Sequence, residues 1–116
     1  MGKEGKETAQ TRKIRVLDVA YQDIDEITDF IALDNQQPLN AVKVARTIWE
    51  TINKIEHNPF TFRECEEIPT KAKMYRKAVC LTWLIIYRVT ATEIMILGIV
   101  HGARKASKIR GLRKLK

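Results

Sequence analysis

Acidic residues are absent from the last sixteen positions of this chain, which hold seven Lys or Arg. Cysteine is scarce as well. Cys65 and Cys80 are the only two, whereas a disulfide-built scaffold of this length carries at least four, so the expectation is a reduced, cytoplasmic chain. His57, Cys65, Cys80 and His101 fall in no short paired spacing, which excludes a zinc site, and no cofactor is expected. Cys80 lies within a mainly apolar segment and reads as a small buried hydrophobe rather than a nucleophile. Long apolar runs are missing too. The N-terminus, MGKEGKETAQTRK, offers neither a signal peptide nor a membrane span. Proline and glycine are few, at three and five, and form no linker, and no repeat or low-complexity block interrupts residues 14 to 102.

What is present fits one domain. A chain of 116 residues buries roughly two thirds of its unfolded surface, enough for a single core. The net charge of +7 is localised: residues 1–100 hold 14 basic and 14 acidic residues. The whole excess lies in Arg104, Lys105, Lys108, Arg110, Arg113, Lys114 and Lys116, a field suited to phosphates or an acidic partner. The organisation expected is a polar, disordered stretch at 1–13, a domain at 14–105 and a basic tail at 106–116. Ile109, Leu112 and Leu115 recur every three residues, so a short amphipathic helix docked on the domain is the second reading of that tail.

Residues 14–19, IRVLDV, alternate apolar and polar with β-branched content and predict a first strand. From Ala20 the period becomes helical: Ile24, Ile27 and Ile31 share one side, and Asp23, Asp25, Glu26 and Asp29 fall largely on the other, with an end near Leu33. Pro38 suits the first turn of a second helix. Its stripe is Ala41, Val44, Ala45, Ile48, Ile52 and Ile55, and Asn58-Pro59 ends it. FTFREC, MYRKAVC, WLIIYRV and EIMILGIV then predict four further strands. The last two are nearly continuous apolar runs, as central strands require. The break near Thr82 lacks the Gly, Asn or Asp usual in a tight hairpin. The fold class is therefore α+β, in the order β-α-α-β-β-β-β, with a helical hairpin packed on one face of an antiparallel sheet.

The wording of four segments narrows this further. AYQDIDEITDFI, NPFTFRECEEIP, YRKAVCLTWLIIYRV and EIMILGIVHGARK resemble the RelE/ParE toxin superfamily over about residues 14 to 105. The last two carry most of the likeness, with an Arg on one strand, a strand closing in IIYRV, and a strand running into His-Gly-x-Arg. The resemblance implies a cytoplasmic toxin of a plasmid-stabilisation type, neutralised by a cognate antitoxin. Both a homodimer and a toxin-antitoxin hetero-oligomer stay open. One branch enters the ribosome and cuts mRNA; the ParE-like branch poisons DNA gyrase. The ending in His-Gly-x-Arg is closer to ParE-like members, while Leu84, Ile85 and Ile86 stand where the mRNA-cutting branch often has an additional Arg.

Metal-independent RNA cleavage needs a group to take the 2′-hydroxyl proton, a group to protonate the leaving oxygen, and cations on the phosphate. Arg76, His101 and Arg104 are the candidates, with Tyr87 as a further proton donor. Target or nucleic-acid binding would use Arg76, Arg88, Arg104, Lys105, Lys108, Arg110 and Arg113, with the arginines and His101 converging from the final three strands. Each has an ordinary alternative. Arg76 can pair with Glu64, Glu66 or Glu67, Arg88 can be a rim charge, and His101 can cap a strand end. Tyr87, with Trp83 and Ile85, can be core packing with a tethered hydroxyl.

Overall fold

The computed structural model describes residues 12–102 and 106–115. Strand β1 (Lys13–Val16) leads into helix α1 (Asp18–Asp29), which continues as a π-helical segment (Phe30–Asp34). Helix α2 (Pro38–His57) follows, then β2 (Tyr75–Cys80), β3 (Trp83–Val89) and β4 (Glu93–His101). A short helix α3 (Ala106–Gly111) and a 3-10 turn (Leu112–Lys114) close the chain. Pro38 sits in the first turn of α2, where its missing N–H leaves no intrahelical bond unmade.

The sheet has the order β1-β4-β3-β2. Pairing is antiparallel within β2-β3-β4, but β1 runs parallel to β4, with Lys13 opposite Glu93 and Val16 opposite Ile96. The sheet is thus mixed, not purely antiparallel. The long connection after α2 returns the chain, so β2 starts in the direction of β1, and an up-down-up meander leaves β4 parallel to it.

FTFREC is the expected strand that does not form. Among the described residues its backbone pairs with the sheet as an isolated bridge between Glu64 and Arg76, with Cys65 N–H donating to the Tyr75 carbonyl at 2.8 Å and Lys77 N–H to the Arg63 carbonyl at 3.1 Å. Phe62 packs into the core under the helices and Cys65 into the core on the opposite face, as alternation requires. Turns flank the bridge, with Thr61 N–H donating to the Asn58 carbonyl at 3.1 Å and Ile68 N–H to the Cys65 carbonyl at 3.0 Å, so only a few residues between them can lie along β2. The β2-β3 hairpin closes through Leu81 and Thr82 with no glycine; Leu81 takes φ 59°, a left-handed conformation costly for a branched residue.

Apolar side chains cover both faces of the sheet. On one, Ala41, Val44, Ile48, Ile52 and Ile55 of α2, with Ala20 and Ile24 of α1, pack on Ala78, Ile85, Tyr87, Ile94 and Ile96. On the other, Tyr75, Ile86, Met95, Leu97 and Val100 lie beneath Cys65, Ile68 and Ile109, with Leu112 and Leu115 packed alongside. Residues 106–115 are therefore a docked element and not a loose tail: Ile109 is 2% exposed, while Lys108, Arg110 and Arg113 point to solvent.

Candidate functional site

Strand register separates the residues expected to converge. Arg76 pairs with Tyr87, and Arg88 pairs with Tyr75. Directly opposed residues share a face and successive ones alternate, so Arg76 lies on the helix-covered face and Arg88 on the other. His101 pairs with Trp83, which pairs with Cys80. Four residues along β2 and two strands across put Arg76 and His101 about 16 Å apart at the Cα atoms. Arg104 and Lys105 lie outside the described residues.

Arg76 is occupied by backbone. Its Nη1 donates to the Phe62 carbonyl at 2.8 Å and its Nε to the Lys73 carbonyl at 3.3 Å, and its guanidinium lies 4.8 Å from the centre of the Phe60 ring. The Arg12 guanidinium lies 5.2 Å from the same ring, so an aromatic side chain left half exposed is flanked by two cations. The expected pairing of Arg76 with a glutamate is made by its neighbour instead: Lys77 Nζ lies 3.1 Å from Glu67. Tyr87 is fully buried, and its hydroxyl donates to the Pro59 carbonyl at 2.7 Å. Burial pushes its phenol well above the ordinary range, and its bond to Pro59 ties down the loop after α2. His101 is exposed at the end of β4, edge-on to Trp83 with ring centres 6.4 Å apart.

A groove of about 330 Å³ runs between α1 and α3, with the end of β4 as its floor. Val19, Ile27, Phe30 and Trp83 supply apolar walls, and Glu26, His101 and Lys108 its charged rim. Asp23 is the residue that sequence reading missed. On a helical wheel it falls with the solvent-facing acids, yet its Oδ2 accepts the Ile99 N–H at 2.9 Å. That donor is open because β1 stops at Val16, opposite Ile96, and among the described residues no strand pairs with the rest of β4 on that side. Burial raises the Asp23 carboxyl pKa; the Ile99 bond opposes this, Glu26 adds to it and Lys108 draws it down. Gly98 permits the approach, since a Cβ there would stand 3.1 Å from Asp23 Oδ2.

Among the described residues no three His, Cys, Asp or Glu side chains gather as metal ligands, and no helix is long and apolar enough to cross a membrane. No curated protein matches the sequence. A solved structure, described as the chromosomal ParDE TA system from P. aeruginosa, is similar with a TM-score of 0.62 at 21% identity, over 79% of this chain and 97% of that one. At that identity the likeness speaks for the fold, which is of the RelE/ParE type. The family model for the ParE toxin of type II toxin-antitoxin systems, parDE, matches residues 14–106. With helices packed on a four-stranded mixed sheet and a sequence match over most of its length, the chain belongs to the ParE toxin family of type II toxin-antitoxin systems.

Proposed function

We propose that this toxin arrests growth in the cytoplasm by binding DNA gyrase through its basic C-terminal element, and that a cognate antitoxin neutralises it by covering that surface. The observation that carries the reading is the docking of α3. Ile109 is buried while Lys108, Arg110 and Arg113 remain exposed, so the localised positive charge is held on a fixed surface and can steer and orient an anionic target. The placement of those candidate residues that are described supports binding over RNA cleavage. Arg76 and His101 stand about 16 Å apart by strand geometry, and the Tyr87 hydroxyl is committed to Pro59. The likeness to a structure described as a ParDE system supports an antitoxin partner.

The test is induction of the chain in bacteria, with and without a small acidic protein encoded by a neighbouring frame, while DNA supercoiling and message integrity are followed together. Loss of supercoiling with intact messages, reversed by the neighbour, is the expected result. Rapid message cleavage at ribosomes would overturn the gyrase reading in favour of an mRNA endoribonuclease.

A further inference from the structure

Register aligns Arg15 of β1, Met95 of β4, Arg88 of β3 and Tyr75 of β2 in one row across the sheet. The row lies on the face away from the helical hairpin, where Met95 and Tyr75 belong to the second core. Both arginines turn toward the same thioether: Arg15 Nη2 is 3.7 Å from Met95 Sδ and Arg88 Nη2 is 3.4 Å from it. The two nitrogens are therefore no more than 7.1 Å apart. A thioether is a weak, uncharged acceptor, and Met95 is only 2% exposed. Arg15 has Glu93 at 3.6 Å on a largely solvated side. Arg88 has no carboxylate among the described residues, and its Nε is buried with no acceptor. Buried guanidinium donors are ordinarily satisfied by oxygen, whereas Arg88 Nε has no acceptor and its Nη2 turns to sulfur.

From this geometry we infer that Arg15 and Arg88, straddling Met95, form a phosphate-binding site that takes one backbone phosphate of a nucleic-acid strand. Oxygens of one phosphate, each about 2.8 Å from its donor, bridge a gap of this size between the two Nη2 groups. A nucleic acid fits better than a lone carboxylate because the cations continue. Lys13 stands two residues before Arg15 on the same face of β1. Leu115 lies beside Arg15 and Leu17, so the docked element with exposed Lys108, Arg110, Arg113 and Lys114 ends at the row. Repeating phosphates match such a track. The site stands on these residues and not on the identity of the toxin's target.

The full chain labelled with ¹⁵N is titrated with inorganic phosphate while the arginine Nε–H signals are followed. The Arg88 and Arg15 signals should shift saturably, and Arg88→Gln should abolish the shift at Arg15. A labelled single-stranded 12-mer, followed by anisotropy, should bind about tenfold more weakly to the double variant R15Q/R88Q, with a salt slope smaller by about 0.7 because one phosphate is no longer neutralised. Arg15→Gln alone, at a half-exposed side chain, keeps the test open should Arg88→Gln fail to fold, and should itself lower affinity and slope. Arg88→Lys should restore the affinity of R88Q only in part. Response to inorganic phosphate without an effect of the double variant on the 12-mer would leave a free-phosphate site and overturn the nucleic-acid assignment. Shifts confined to Arg110 and Arg113, or a response to a glutamate-rich peptide but not to phosphate, would overturn the site itself.

Discussion

Replacing Asp23 tests whether one side chain closes the open edge of β4. Asp23→Ala removes the acceptor of the Ile99 N–H, and an unsatisfied buried donor costs about 1–3 kcal/mol. Each kcal/mol moves Tm by about 4–8 °C in a domain near this size. The loss should fall toward the low end at neutral pH, because the substitution also removes a partly desolvated charge. Asp23→Asn keeps a carbonyl for the Ile99 N–H without that charge, and should stay within about 0.5 kcal/mol of the parent or exceed it at pH 7. The two variants also give the sign of the pH effect. Burial raises the folded-state pKa of Asp23 above its ordinary 3.8, so the folded chain holds this proton where the unfolded chain has lost it. The contribution of Asp23 is therefore fully present below 3.8 and is lost as pH rises through the raised folded value. Urea unfolding of the parent and Asp23→Asn across that window, read as their difference so that other carboxylates cancel, should favour the parent increasingly as pH falls. A flat difference, or an Asn variant as unstable as the Ala variant, would refute the bond and its burial.

Ile52→Ala, at a side chain 5% exposed on the α2 stripe, should cost about 2–5 kcal/mol in chemical denaturation; a loss below about 0.5 kcal/mol would mean the stripe does not face the sheet. Ile109→Ala, or removal of residues 106–116, should lower Tm by several degrees because Ile109 is buried against the second core, and an unchanged Tm would show that α3 is not docked. Tyr87→Phe should cost about 1–3 kcal/mol by leaving the Pro59 carbonyl without its donor, with increased amide exchange in residues 59–62 as the local readout. In a Cys80→Ala background, Cys65 should react slowly with a thiol reagent at pH 8 and quickly once unfolded, since burial and its contact with Glu67 raise its pKa to about 11.

Much of the fold is legible in the sequence because each element announces its own period. The stripe of α2 and the continuous apolar runs of β3 and β4 require burial, Pro38 and Pro59 bracket a helix, and these signals need only neighbours three, four or two residues away. The helical hairpin on a sheet follows from them, and the family resemblance rests on segments of those same strands. What only the tertiary structure decided depends on partners far along the chain. FTFREC has the alternation of a strand, but turns closing at Asn58 to Thr61 and Cys65 to Ile68 leave it an isolated bridge to β2. The direction of β1 against β4 depends on the length of the return after α2. Arg76 and Arg88 look like one cluster on adjacent strands, yet a pairing register that sets Arg76 opposite Tyr87 sends them to opposite faces. Asp23 reads as one acid among several until the early end of β1 exposes an N–H for it, and Arg15 meets Arg88 only because parallel pairing seats it opposite Met95. Periodicity is local and fixes which side of an element is apolar; register is a long-range property, and it fixes which polar side chains meet.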